Sequence, residues 1–161
     1  MADDPNTPVG RMVFHQAALA TLGADAAWDR AVLAFIKADV LQHADLEFGA
    51  AAKHQAKDYR ARIGLESRYG KEWRLNPAAQ ALRDQIYDEA IAADDAWTRD
   101  YCAPFWQAGR ELALTPAPTM AAAVFKANVI EKAEIWNDSA FPRDAMEIVI
   151  EEMTRLCEGS A

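Results

Sequence analysis

Two stretches of this chain place apolar residues at helical spacing for more than thirty residues each, with a short polar segment between them. In the first, Ala27, Ala31, Ala34, Ala38, Leu41, Asp45, Phe48, Ala52, Gln55, Tyr59 and Ile63 form one stripe, with Asp45 and Gln55 as its polar exceptions. Ten steps over 36 residues give a period of 3.6. In the second, Ala79, Leu82, Ile86, Ala90, Ala93, Trp97, Tyr101, Phe105, Ala108 and Leu112 take nine steps over 33 residues, a period of 3.67. Both values lie near the natural helical repeat, so strong left-handed supercoiling is not required. The reading is a helix A over about 26–63 and a helix B that starts at Asn76-Pro77, a capping residue followed by the proline favoured at the first helical position. Each helix would be about 57 Å long at 1.5 Å per residue. Matched lengths and a short linker predict an antiparallel hairpin.

Shorter helices flank this pair. Residues 1–8 read as a flexible tail, at whose end Thr7-Pro8 can cap and start a helix to about Leu22, with Met12, His15, Leu19 and Leu22 on one face. Gly23 ends that helix and Asp25 is placed to cap the next. Trp28, Val32, Phe35 and Ile36 lie away from the alanine stripe, so the start of helix A needs a second partner. Pro116 and Pro118 stop helix B, since the residue before a proline avoids helix. Thr119 can cap a helix from Met120 to about Trp136, Asn137-Asp138-Ser139 makes a turn, and a last helix runs from about Pro142 to Cys157. Its inward side would hold Met146, Val149, Ile150, Met153 and Leu156. Pro104 is the weak point of helix B, where a kink or a division is expected. The fold class predicted for 1–161 is a single all-α domain, a long antiparallel helical hairpin whose base is thickened by short N- and C-terminal helices.

Charge marks one part of this plan. The chain carries −8 overall, yet residues 53–74 hold Lys53, Lys57, Arg60, Arg62, Arg68, Lys71 and Arg74 against Asp58, Glu66 and Glu72, a balance of +4. The segment 64–76 would be the basic tip of the hairpin, with Tyr59, Tyr69 and Trp73 among its cations. Cations with interleaved aromatics can meet phosphate backbones or an anionic surface, and an exposed Trp73 can anchor a protein partner. The plainer reading is a charged, solvated end that offsets an acidic body. The candidate partner contacts are Lys57, Arg60, Arg62, Arg68, Tyr69, Lys71, Trp73 and Arg74.

Little else in the sequence carries chemistry. Cys102 and Cys157 have no close pair, which indicates neither a disulfide framework nor a cysteine-rich metal site and fits a reducing cytoplasm. The first residues are acidic and polar, unlike a signal peptide, and the longest apolar run, from Met120 to Phe125, is far below the roughly 20 residues of a membrane span. His43, Glu47, His54 and Asp58 share one face of a continuous helix A and could bind a divalent metal, but that face points to solvent. Trp28, Trp97, Trp106 and Trp136 read as core anchors. Asp84, Asp88, Asp94 and Asp95, with Glu147, Glu151, Glu152 and Glu158, could imitate phosphates, although solvated acidic faces are commoner. No catalytic residues, cofactor or small-molecule substrate are indicated.

From Trp97 onward, the Thr115-Pro116-Ala117-Pro118 hinge, the following Ala123-Val124-Phe125-Lys126 and then Trp136 resemble a group of short uncharacterised helical proteins of alphaproteobacteria and their prophages. The resemblance covers about the last 65 residues and implies no activity. The sequence therefore points to a non-enzymatic interaction or scaffold protein that contacts a protein partner or itself, and the resemblance allows a prophage origin. A binder of nucleic acid or an anionic surface through the basic stretch 53–74 is the competing reading, and an acidic inhibitor of a host protein a further one.

Overall fold

The computed structural model describes residues 7–135 and 144–159. Among these the chain is all-α, with no strand. The helices are α1 (Pro8–Leu19), α2 (Ala26–Phe48), α3 (Ala50–Tyr69), α4 (Pro77–Trp97), α5 (Ala103–Leu114), α6 (Met120–Lys132) and α7 (Ala145–Glu158). Residues 1–6, Trp136, the turn expected at Asn137-Asp138-Ser139 and the expected start at Pro142 lie outside the described residues. No described helix is long and apolar enough to cross a membrane.

The helix starts follow the capping chemistry of the sequence. Thr7 Oγ1 accepts from the Gly10 amide at 3.0 Å, and Asp25 Oδ1 from Ala27 and Trp28 at 2.8 and 2.9 Å. Asn76 Oδ1 accepts from Ala78 and Ala79, ahead of Pro77 at the first helical position. Thr119 and Asp144 cap α6 and α7 in the same way.

Helix A is divided, contrary to expectation. It breaks at Gly49, which is extended (φ −88°, ψ −154°), and α3 begins afresh at Ala50. Asp45, a polar exception in the expected stripe, causes this: its carboxylate accepts from the Ala50 and Ala51 amides at 3.1 and 3.4 Å. The stripe of helix A does not stay inside on either side of the break. Phe48, Tyr59 and Ile63 are 77, 65 and 52% exposed. At the other end α3 continues past Ile63 and through Gly64 to Tyr69, where Gly70 (φ +81°) takes a left-handed conformation that ends it.

Helix B meets Pro104 with a change of winding. Thr98–Cys102 form a π-turn between α4 and α5, and the Ala103 amide bonds the Thr98 carbonyl five residues back. Proline has no N–H to give and its ring crowds the preceding turn, so one wider turn just upstream lets the helix continue through it.

The chain forms two compact units. The first comprises residues 1–39 and 104–161. Its core is built from Trp28, Val32 and Phe35 of α2, Phe105 and Leu112 of α5, Phe125, Val129 and Ile130 of α6, and Val149 of α7. The second face of α2 thus has its partners. Phe14 of α1 packs on Phe125, ring centroids 5.3 Å apart, and Phe35 on Phe105 at 5.5 Å. Gly109 marks a close approach, since a Cβ there would meet the Ile135 side chain at 2.4 Å and that side chain would have to shift. The inward face of α1 is Gly10, Phe14 and Ala18, while Met12 and Leu19 are exposed; on α7, Met146 and Ile150 are exposed. The second unit, residues 40–103, is α3 and α4 with the end of α2 and a single 3-10 turn at Trp73–Leu75. Lys57 in mid-α3 pairs with Glu89 in mid-α4, and Leu65 and Tyr69 near the end of α3 cluster with Ala79 near the start of α4, so the two helices run antiparallel.

Candidate functional site

Along one side of the α3–α4 pair runs an open groove of about 740 Å³. Its α3 wall is Ala51, His54, Gln55, Asp58 and Arg62, at the i, i+3, i+4, i+7, i+11 spacing of one helical face. Its α4 wall includes Gln80, Arg83, Asp84, Tyr87, Ile91 and Asp94, and Trp73 and Arg74 close the end at the turn. Tyr87 and Ile91 remain 48 and 43% exposed, and Tyr59 and Ile63, outside the groove lining, are exposed on α3 as well.

The basic residues expected at the tip are distributed over different settings. Arg62 and Arg74 line the groove. Lys57 is engaged by Glu89, whose carboxyl it holds below the usual carboxylate range by hydrogen bonding and charge. The Arg60 guanidinium donates to the Ala56 carbonyl at 3.0 Å. Arg68 lies over the Tyr69 ring, 5.3 Å from its centroid, Arg74 over Trp73 at 5.0 Å, and Arg83 over Tyr87 at 4.8 Å. Lys71 is exposed in the turn.

Trp73 is not the exposed aromatic that the sequence suggested. It is 5% exposed and forms the small core of this unit with Leu65 and Ala79, with Tyr69 half-buried against them. The 3-10 turn folds it back under the end of the helix pair. Trp73 is therefore not available for the partner contact expected of it, and Arg74 lies over its ring.

The possible metal face of helix A is dismantled by the break at Gly49, which leaves His43 and Glu47 on α2 and His54 and Asp58 on α3. Among the described residues no group of three or more His, Cys, Asp or Glu is placed to hold a metal ion. Cys102 is half-buried and Cys157 exposed.

Two polar constellations in the first unit escaped the sequence reading. His15 Nε2 lies 2.7 Å from Asp39 Oδ2, linking α1 to α2. The Lys126 ammonium is fully buried. It donates to both Glu152 oxygens at 2.7 and 2.8 Å and to the Thr115 carbonyl at 2.6 Å, and it lies 5.7 Å from the centroid of the Trp28 ring. Burial pushes its pKa down, and the bond to Glu152 opposes that shift. Glu152 also accepts from the Ala117 amide at 3.3 Å, and Arg155 donates to the Ala117 carbonyl at 3.1 Å. With every partner accounted for, this cluster fastens the Thr-Pro-Ala-Pro-Thr loop to α7; it is a clamp rather than a reactive amine. The signal was present in the sequence, since Lys126 falls at i+4 from Ala122 and i−3 and i−4 from Val129 and Ile130, on the apolar face of α6.

No protein-family model, curated protein or solved structure matches the chain.

Proposed function

We propose that this chain is a non-catalytic interaction protein whose docking element is the α3–α4 pair. The observation that carries this reading is the mismatch between the apolar surface of that pair and its core. Leu65, Trp73 and Ala79 are its buried apolar residues, whereas Phe48, Tyr59, Ile63, Leu75, Leu82, Tyr87 and Ile91 are exposed. Two helices bury one seam between them, and apolar residues outside that seam gain nothing until a further surface covers them. Exposed apolar patches rimmed by polar groups are the usual mark of a protein contact.

The nucleic-acid reading draws on the same cations but is less well supported. A phosphate track needs cations without competing carboxylates, and Asp58, Asp84 and Asp94 line the groove beside Arg62, Arg74 and Arg83. Trp73, the aromatic best placed by sequence to stack on a base, is covered.

The test is affinity capture by the full chain, wild type against the double variant Tyr87→Asp/Ile91→Asp, with thermal unfolding followed by circular dichroism as the control for folding. The wild type should retain a stoichiometric protein that the variant loses at an unchanged melting temperature. Equal capture by both would overturn the reading, as would retention of nucleic acid alone.

A further inference from the structure

We infer that the turn end of the α3–α4 groove binds a single phosphate monoester, carried on a side chain of the docked protein partner. This deepens the docking reading and rests on it.

The register of the helix pair sets which groups meet. Lys57 pairs with Glu89, and Leu65 packs with Ala79. By that register Arg62 lies level with Arg83, and one turn farther from the tip Asp58 lies level with Tyr87. Trp73, packed on Leu65 and Ala79, brings Arg74 to the same end, where the Gln80 side-chain amide donates to the Arg74 carbonyl. Arg62, Arg74 and Arg83 therefore line the cavity within about one helical turn of one another.

The carboxylates at this end are fewer. Asp84 lies 3.7 Å from Arg83, and Asp58 sits one turn up the groove. Arg62 and Arg74 are in no ion pair among the described residues. The Arg74 and Arg83 guanidiniums lie over the Trp73 and Tyr87 rings. Stacking occupies the face of a guanidinium and leaves the N–H groups along its edge for an in-plane acceptor.

Three such groups exceed what one carboxylate can use. A carboxylate offers two oxygens and one charge, whereas a phosphate monoester offers three oxygens and nearly two charges at neutral pH. Asp58 and, farther along, Asp94 interrupt the cations, so a chain of phosphates finds no continuous path. Tyr87 and Ile91 continue the groove beyond the arginines and give apolar side chains next to the phosphate a surface to cover. A phosphorylated protein segment matches both parts of the groove, and a nucleic-acid strand matches one.

The first measurement is titration of the full chain with phenyl phosphate at neutral pH and constant ionic strength, followed through the arginine Nε–H resonances by heteronuclear NMR. The resonances of Arg62, Arg74 and Arg83 should shift saturably, and benzoate, similar in shape with a single charge, should bind at least about tenfold more weakly. Arg62→Gln/Arg74→Gln should weaken phenyl phosphate by at least about tenfold as well. Asp58→Asn/Asp84→Asn should tighten it about threefold, a gain that a misfolded variant cannot show. The second measurement repeats the affinity capture after phosphatase treatment of the source proteins, which should abolish retention of the partner. Absence of a saturable shift with phenyl phosphate overturns the inference, as does equal binding of benzoate or binding indifferent to both variants. Capture that survives phosphatase but is lost in Tyr87→Asp/Ile91→Asp overturns it too, and leaves the docking reading intact. Binding of phenyl phosphate by a chain that captures no protein overturns the partner as carrier, and the docking reading with it.

Discussion

In the unit formed by residues 1–39 and 104–161, eighteen apolar residues among those described are buried in one cluster; in the unit formed by 40–103, three are. The helices of the two units do not differ in kind. α3 and α4 are capped, regular and longer than α5, α6 or α7. What differs is the number of surfaces each helix meets. α2, α5, α6 and α7 each contribute to a shared interior, whereas α3 and α4 have chiefly each other. Helix length is therefore a poor guide to stability here. A helix draws most of its stability in a protein from the packing of its apolar face, and α3 and α4, longer than α5, α6 or α7, hold a smaller share of it than the still longer α2.

The sharpest way to break that contrast is to remove equivalent bulk from both units. Phe35 is fully buried against Phe105 and Phe14, and Phe35→Ala should lower the unfolding free energy by about 4 kcal/mol, the range for a buried aromatic. Tyr87→Ala, with half its side chain already in water, should change it by less than about 0.5 kcal/mol in protein dilute enough to be monomeric. Urea denaturation measures both. Native-state hydrogen exchange adds the spatial view: amides of α3 and α4 should open at lower free energy than those of α5 and α6. Equal protection in the two units would show that buried side chains misjudge where the stability lies. Protection of α3 and α4 that rises with concentration would point to a covered face.

Buried charge sharpens the comparison next. The first unit pays for enclosing Lys126 by surrounding it with Glu152, the Thr115 carbonyl and the Trp28 ring. Lys126→Met should cost about 3 kcal/mol, because Glu152 and the Thr115 carbonyl then lose their donor. The double variant Lys126→Met/Glu152→Leu should recover most of that loss, since an apolar pair of similar size needs no counter-charge. The pH dependence has a fixed sign. Burial lowers the Lys126 pKa below its usual 10.5, so the folded chain releases this proton before the unfolded chain does. Between those two values the unfolded state binds more protons, and the contribution of this group to stability rises with pH. The gap in unfolding free energy between wild type and Lys126→Met should accordingly widen toward alkaline pH. A gap that narrows would mean that the attraction of Glu152 outweighs burial.

How much of this could be read in advance depended on whether the deciding interaction was local. Thr7, Asp25, Asn76 and Thr119 cap the helices expected of them, because a cap needs only the next three residues. The adjustment at Pro104 was foreseeable for the same reason, though its form, a π-turn at Thr98–Cys102, was not. Of the uninterrupted stripe of helix B, Ala79, Phe105, Ala108 and Leu112 are buried, Ile86, Ala90, Ala93, Trp97 and Tyr101 are half-buried, and Leu82 is exposed. Burial of Trp73 depended on a turn that folds back on the helices, which charge and aromatic content do not reveal. The joining of Lys126 to Glu152 spans 26 residues, and that of His15 to Asp39 spans 24, so neither is visible to a search along the chain. The interaction reading of α3 and α4 rests on apolar residues left outside, and a periodic pattern cannot say which stripe will be covered.

The smallest expected effect concerns the residue at which the longest pattern failed. Gly49 is extended at a negative φ that other residues adopt readily, so glycine is not there for its backbone freedom. It is there for space: a Cβ at this position would run into the Asp45 carboxylate that caps α3 and, at 2.6 Å, into the Asp45 Cα. Asp45→Ala should therefore cost about 1 kcal/mol, as the loss of a helix cap does. Gly49→Ala should cost at least as much, because it displaces the same carboxylate and also meets the Asp45 Cα, so that the backbone itself must shift. The two losses share the capping interaction, so the double variant should fall well short of their sum. It should even lie close to the wild type, because alanine for glycine in a helix interior restores up to about 1 kcal/mol once the segment is free to wind through position 49. Far-ultraviolet circular dichroism should then show more helix than the wild type has, the unbroken helix A that its apolar spacing promised. If the double variant is instead as unstable as both single losses added together, the break serves the packing of α3 on α4 rather than merely marking where Asp45 happens to reach.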